Sequence, residues 1–353
     1  MKVLQMVDVP WDSGLAHYAL LLGKGLQDRG HQVYVSAIPG EKPWKKADRF
    51  GLRTMPFVTF SGLKALREFL RLEGIEVINA HTGSTHSLAV AASLGQKVAV
   101  VRTRSDARTV KRKIGSSFLF GHTPRVIAAA EYIRQAYIRA VKLEPDRVVT
   151  VYQGVDVAAY DPETRPTHPT VGIVARLDPV KGHRYLLEAL SILKPSYPTL
   201  KVLIVGQDEN IKQRELRNVA ERLRIDHMIE FAGFQNDIPS IMARCTLGVV
   251  ASTGSEAVSR VALEWMAAGR PVVATRVGCL PELVHEQVTG YLIPPQDAPA
   301  LAQTVARLLH DPAKAWALGA AGRQRAEKRF GLDRFVDDTL QAYQAAHSEA
   351  LKK

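Results

Sequence analysis

Two doubly wound α/β domains in one chain are the fold class this sequence predicts. Three observations carry that expectation: short apolar runs separated by helical stretches recur along the chain, the pattern restarts near residue 170, and 353 residues suffice for two separate cores. The runs are apolar throughout rather than alternating, which is the mark of a parallel sheet covered on both faces.

The first apolar run, KVLQMVDV, leads into the loop PWDSG. A helical pattern then extends from Leu15 to about Asp28 and stops at Gly30, a residue suited to a helix C-terminus. QVYVSAI is the next strand, and EVINA, KVAVVR and RVIAAA follow with helical segments between them. The stretch DPETRPTHPT (Asp161 to Thr170) is rich in Pro and Thr and reads as a linker. Beyond it come TVGIVAR, KVLIVG, IEFAG and TLGVVAS, then SEAVSRVALEWMAAGRPVVATRVG, a short helix running into an apolar strand, and finally GYLIPP. The expected division is a domain over 1–164, a second over 165–330, and a C-terminal helix over 331–353 that packs back on the first domain. Two such domains normally take a ligand in the cleft between the carboxyl ends of their strands.

Composition narrows the class. The chain is 46% hydrophobic and 23% charged, with no low-complexity tract and no apolar run of membrane-spanning length. MKVLQMVDVPWD is too briefly apolar for a signal peptide and reads as a first strand. Cys245 and Cys279 have neither metal-ligand spacing nor framework partners, and fit buried thiols in a reducing cytoplasm. The net charge of +12 is uneven: +9 falls in residues 1–169 and +3 in residues 170–353. The excess gathers in RTRSDARTVKRK, Arg102 to Lys113, which suits an anionic partner or a solvated face.

Two places have the residue types for chemistry. In GIVARLDPVKGHRYLLEAL a strand ends near Arg176 and a tight loop with Pro179 and Gly182 precedes a helix. Arg176 and Lys181 therefore stand at a strand's carboxyl end, where two cations and loop N–H groups suit a diphosphate. No Walker A pattern occurs in the chain. The second place is STGSEAVS, the loop after TLGVVAS, where Ser259 is a candidate N-cap for a helix from about Arg260 to Ala268. Glu256 lies in the loop and Glu264 over a turn deeper along the helix; two carboxylates suit sugar hydroxyls rather than phosphate. Taken singly, each feature also fits a surface turn or a capping carboxylate with a salt bridge.

GIVARLDPVKG, VGQ, FAGFQNDIPSIMARC, SEAVSRVALEWMAAGRPVVATRVGCLPELV and GYLIPP, in this order, resemble successive motifs of the family 4 retaining glycosyltransferases. The likeness covers nearly all of residues 170–300 and is weaker in the first half, where Ser13–Gly14 and the NAH stretch ending at His81 carry it. Within the family the chain is similar to bacterial transferases of lipopolysaccharide core and other cell-surface glycans. The resemblance implies two Rossmann-like domains facing a central cleft (the GT-B type), an acceptor-binding first domain and a nucleotide-sugar-binding second one. It implies that Glu256 contacts the donor sugar with Ala257, Val258 and Ser259 beside it, that Glu264 binds the ribose, and that Arg176 and Lys181 hold the diphosphate and stabilise its departing charge. His81 would lie beside the donor sugar, and Gly14 in a loop close to the phosphate. No metal or cofactor is expected, only a UDP-, GDP- or ADP-sugar as substrate, consistent with the lack of a convincing Asp-x-Asp motif at a strand end. The implied location is cytoplasmic, with peripheral contact at the inner face of the plasma membrane through the basic first half and a saccharide or lipid-linked acceptor there.

The chain departs from the family where Glu-Gly-Phe-Gly is usual and Glu256-Ala257-Val258-Ser259 stands instead, and where Ser13 replaces a common second glycine. Asp12 and Asp106 fall in predicted cleft loops, where they either meet an acceptor hydroxyl or structure the loop. Other readings on the same scaffold are a sugar-nucleotide epimerase, an inverting transferase and a silent sugar-nucleotide-binding subunit. A nucleic-acid-binding protein is disfavoured because the basic run lacks interleaved aromatics. A dehydrogenase is disfavoured because no G-x-G-x-x-G follows the first strand.

Overall fold

The computed structural model describes residues 1–112 and 114–352, and Lys113 of the basic run lies outside them. Two compact units form, Met1–Gly154 with Leu332–Lys353, and Val155–Gly331.

The first unit is built on seven parallel strands: β1 (Lys2–Met6), β2 (Gln32–Ala37), β3 (Arg53–Pro56), β4 (Val77–Ala80), β5 (Ala99–Arg104), β6 (Arg125–Ala128) and β7 (Val148–Thr150), in the order β3-β2-β1-β4-β5-β6-β7. All four residues of β4 are buried, as are the first five of β5, because helices cover both faces. The edge strand β3, RTMP, is half exposed and carries no apolar run. Between β1 and β2 the helix Gly14–Asp28 is N-capped by Ser13, whose Oγ accepts from the Ala16 amide at 3.2 Å.

The helix Leu332–Ala350 belongs to this first unit. Its Tyr343 hydroxyl accepts from Gln5 Nε2 at 3.0 Å and from Asn79 Nδ2 at 2.7 Å, inside the sheet's own polar core. Phe335 meets Tyr18 edge-on with centroids 4.8 Å apart, and Arg29 binds Asp333 and Asp337 at the rim. Buried aromatics of this size usually cost about 3–5 kcal/mol when truncated, so the helix is part of the unit's core and not an appendage.

The second unit has six parallel strands: β8 (Thr170–Val174), β9 (Lys201–Val205), β10 (Ile229–Gly233), β11 (Leu247–Val250), β12 (Val272–Thr275) and β13 (Gly290–Ile293), in the order β10-β9-β8-β11-β12-β13. Strands β11, β12 and β13 are buried at every position. Each sheet therefore reverses its strand order once, at β1/β4 and at β8/β11, and such switch points open a crevice at the strands' carboxyl ends.

The chain passes between the units at Gly154/Val155, earlier than the linker reading at 164/165 places it. The Pro- and Thr-rich stretch is strapped to the second unit instead. Arg270, with no exposed surface, donates to the Thr164 carbonyl at 2.6 Å and to those of Met242 and Ala243 at 3.3 Å. Arg165 stacks 4.0 Å over the Trp316 ring, and Arg323 donates to the Tyr160 carbonyl at 2.8 Å. Proline lacks the backbone N–H that a sheet needs, and the carbonyls of Pro162 and Thr164 instead accept from the Arg165 and Arg270 guanidinium groups.

Candidate active site

In the second unit the carboxyl ends of β8 and β11 bring together residues that lie 75 positions apart. After β8 the chain turns at Asp178, whose Oδ1 accepts from the Val180 amide at 2.9 Å and caps the 3-10 turn Pro179–Lys181. Gly182 ends that turn at φ +73, and a Cβ there would lie 2.0 Å from the Ala251 carbonyl oxygen, so only glycine lets this turn close onto the β11 exit. That approach aims Lys181 at Glu256: Nζ donates to Oε1 at 2.5 Å, and Ser252 Oγ donates to the same oxygen at 2.5 Å. Glu256 is 2% exposed and the Lys181 side chain 23%, so the pair is a buried carboxylate with a cation at the water's edge. Gly278, at φ +55, packs on Glu256 from behind; a Cβ there would lie 2.0 Å from the Glu256 carbonyl, which accepts instead from the Cys279 amide at 2.8 Å.

Arg176 lies on the same edge. Its side chain is half exposed, and Nη2 stands 3.3 Å from Asp178 Oδ2, which also accepts from Asn210 Nδ2 at 2.7 Å. Burial alone would push the Asp178 carboxyl up, but the Val180 amide, Asn210 and the cations Arg176 and Lys181 together hold it below the usual range. Asp178 is thus a fixed anion held by the Val180 amide and Asn210, and it positions Arg176. Arg176 keeps donors for a further anion.

The helix Arg260–Ala267 starts as expected, with Ser259 at its N-cap, yet the Ser259 hydroxyl makes no capping bond and has no partner although the residue is 2% exposed. Glu264 is on this helix, 8% exposed, with Oε1 at 3.2 Å from Arg260 Nε and Oε2 without a partner. The Tyr160 hydroxyl also faces it, and burial, then the Glu264 charge, push that phenol well above its ordinary range. A buried carboxylate oxygen left unpaired is costly, and two adjacent hydroxyls of a ligand would satisfy it. Ala257 is buried and Val258 half-buried in the connecting loop. The left-handed backbone that glycines would supply falls elsewhere: Ser255 adopts φ +58, whereas Ser259 has φ −102, open to any residue. The Ala257, Val258 and Ser259 departures therefore do not strain the loop; Ser255 does.

Gly14 and His81 lie in the first unit, Gly14 at the start of the helix that follows β1 and His81 directly after the adjacent strand β4. Gly14 opens its helix and is exposed, and a Cβ there would meet nothing within 4 Å. His81 is fully buried, with Nε2 at 2.8 Å from Gln5 Oε1 and Nδ1 without a partner; burial and then the Arg102 charge lower its pKa to about 3, so it is neutral. Asp12 pairs with Lys46 at 3.1 Å and Asp106 with Arg104 at 2.9 Å, both as loop-structuring groups. The basic run is smaller than the sequence suggests. Arg102 is 2% exposed and donates to the Ala80 and Thr103 carbonyls, because its position on β5 faces the core, and Arg104 is spent on Asp106; Arg108, Lys111 and Arg112 are the exposed members.

Sequence reasoning passed over Asp178, Ser252, Tyr160 and Arg260. Asp before Pro at a helical turn is a capping signal that marks Asp178. Ser252 and Tyr160 have none, since only the fold brings them to Glu256 and Glu264.

The fold and these charged strand ends define the GT-B class of two Rossmann-like units. The profile described as "Glycosyl transferases group 1" matches residues 168–311, and that of "Glycosyltransferase Family 4" matches residues 13–159. The chain belongs to this family of group 1, family 4 glycosyltransferases. It is 27% identical over 252 residues to a D-inositol 3-phosphate glycosyltransferase of Segniliparus rotundus, covering 67% of this chain but 56% of that relative, little more than half its length. In fold it is similar to a glycosyltransferase from Rickettsia africae (TM-score 0.90, 20% identity, 100% of this chain and 99% of that one). It is similar also to Anabaena HepE solved with UDP (TM-score 0.87, 22% identity, 98% and 100%).

Proposed function

We propose that the chain is a retaining, metal-independent glycosyltransferase that moves a hexose-type sugar from a nucleoside diphosphate sugar to a saccharide or lipid-linked saccharide, in lipopolysaccharide or other cell-surface glycan synthesis. The observation that carries this reading is the buried Lys181–Glu256 pair, 2.5 Å apart, at the switch point of the second sheet beside Arg176. The second unit binds the nucleotide: Glu264 accepts from the ribose hydroxyls, and Arg176 and Lys181 take the diphosphate. Glu256, with Ser252 and the Ala257–Ser259 loop, faces the donor sugar.

In the transfer, the bond from C1 of the sugar to the diphosphate oxygen breaks and a bond from C1 to the acceptor oxygen forms on the same face. The acceptor hydroxyl's proton leaves with the nucleoside diphosphate. Negative charge grows on the leaving oxygens, and two fixed cations within reach stabilise it without reorganising, usually the largest single contribution in such reactions. Arg176 and Lys181 supply the charge that a divalent metal would supply elsewhere, which is why no metal is invoked.

A peripheral cytoplasmic location is part of this reading. Among the described residues no helix is long and apolar enough to cross a membrane, and Arg108, Lys111 and Arg112 form an exposed basic surface on the first unit. A UDP-sugar is the first donor to test, since Anabaena HepE was solved with UDP-glucose as well as UDP. Thermal unfolding in the presence of UDP-, GDP- and ADP-glucose tests the donor: one of them at a hundred times its Kd adds about 2.7 kcal/mol of apparent stability, and no shift with any of the three refutes the nucleotide-sugar assignment.

A further inference from the structure

We propose that a groove in the first unit, between the loop after β5 and the helix Glu131–Val141, binds an amphiphile with a phosphate headgroup, its chain on the groove floor and its phosphate at Arg108 and Arg139. As the acceptor's binding site this rests on the transferase reading; as a binding site it stands by itself.

The groove has a volume of about 300 Å³, the lower end of the range for small-molecule sites. Its floor is small and apolar, made by Ala107, Val110, Ile133, Ala136 and Ala140, and its rim carries Arg108, Arg139 and Tyr132. Ile133 is 2% exposed and seats the floor on the core of the unit. Small side chains along one helix face leave space that an extended chain fills; a purely solvated face has no reason to be both apolar and concave.

Charge decides the headgroup. Of the charged residues lining the groove, the loop supplies Asp106 and Arg108 and the helix supplies Arg139; Lys111, Arg112, Glu131 and Arg134 lie elsewhere on the same two segments. Both acids are already satisfied: Asp106 by Arg104 at 2.9 Å and the Arg108 amide at 3.0 Å, Glu131 by Arg134 at 3.1 Å, Gln135 at 2.7 Å and Thr150 at 2.6 Å. Arg139 donates Nε to the Gln135 carbonyl at 3.3 Å and, among the described residues, makes no ion pair; the same holds for the ion pairing of Lys111 and Arg112. The Arg108 side chain is 78% exposed and its Nε is 3.8 Å from an Asp106 oxygen that Arg104 already holds. The rim therefore has an uncompensated positive charge, and a guanidinium fork matches a phosphate ester in geometry as well as sign. Farther along the sequence Ile114 is fully exposed and Phe118 is 55% exposed, two further apolar surfaces of the first unit.

A larger cavity of about 530 Å³ at the amino edge of the second sheet lacks this signature: Arg244 and Glu230 on its rim are paired with each other at 2.6 Å.

Titration calorimetry of the full chain with decyl phosphate, below its micelle concentration, tests the assignment against inorganic phosphate and decanol. Decyl phosphate should bind at least tenfold tighter than either half alone, and Arg139→Glu, a surface change that leaves the core intact, should weaken it at least tenfold. Ala136→Trp should fill the floor and abolish binding of the chain while thermal unfolding and UDP binding stay as in the wild type. Equal affinity for decyl phosphate and inorganic phosphate, or undiminished decyl phosphate binding in Arg139→Glu, overturns the proposal. Decyl phosphate binding as expected without any nucleotide-sugar binding leaves this site in place and removes the transferase reading instead.

Discussion

Lys181→Met removes the cation from a carboxylate that is 2% exposed and keeps only Ser252 among the contacts described above. Breaking a buried ion pair from one side typically costs about 3–5 kcal/mol, because the remaining charge stays buried. Lys181 is itself 23% exposed, so water reaches its end of the pair and the cost falls below that range, to about 2–3 kcal/mol. Glu256→Gln alone leaves the ammonium free to hydrate and should cost about 1 kcal/mol. The double variant Lys181→Met/Glu256→Gln removes the uncompensated charge and should recover about 1.5 kcal/mol relative to the sum of the singles, a coupling in the range of close charge pairs. Urea unfolding of the four proteins, followed by the fluorescence of Trp265, which packs in the second unit, measures the cycle. Coupling below about 0.5 kcal/mol would refute the claim that these two groups form one buried unit. All three variants should lose turnover by about a hundredfold or more, so stability and activity separate the structural from the chemical contribution of the pair.

Further outcomes follow from the same geometry. Glu264→Ala should weaken UDP binding by about tenfold or more with a smaller change in 2′,3′-dideoxy-UDP binding, since the ribose hydroxyls are its partners; equal losses for both ligands would exclude the ribose role. Gly278→Ala should destabilise the second unit by more than about 2 kcal/mol in urea unfolding, because the added Cβ meets the Glu256 carbonyl at 2.0 Å in a left-handed backbone. His81 and His86 are buried and each has a pKa lowered from 6.5 to about 3, so between pH 6.5 and 3 the unfolded chain binds protons that the folded chain refuses. Stability is fully present above about pH 6.5 and falls with acidification, by about 2 kcal/mol for each histidine between pH 6.5 and 5; a urea midpoint unchanged across that interval would contradict the neutral, buried assignment.

Most of the fold was legible because ten of the strands are apolar runs, and a parallel sheet buried on both faces writes itself that way. Strand β12 was visible as the run after the short helix. Strand β3, RTMP, is a half-exposed edge with a proline, and β7 is three residues long, so neither leaves a periodic signal. The linker lies elsewhere because proline and threonine content marks a stretch without helix or sheet, and Arg270 holds this one by the Thr164 carbonyl while its own Arg165 stacks on Trp316, contacts that sequence spacing does not reveal. Within the site, Arg176, Lys181, Glu256 and Glu264 stood out by type and position at strand ends. What remained hidden were the groups that hold them: Asp178 beside Arg176, Ser252 on Glu256, and Tyr160 and Arg260 about Glu264. The basic run illustrates the opposite error, since charge in sequence says nothing of direction, and Arg102 points inward from β5.

On the proposed function, the second unit releases a nucleoside diphosphate from a sugar with retention, using Lys181 beside Glu256. Slow donor hydrolysis in water tests it without knowledge of the acceptor: proton NMR of UDP-, GDP- and ADP-glucose incubated with enzyme reports which anomer of glucose appears first. One nucleoside diphosphate should be released with α-glucose as the first product, slowed about a hundredfold or more in Lys181→Met. First appearance of β-glucose, or an unchanged rate in Lys181→Met, would contradict it.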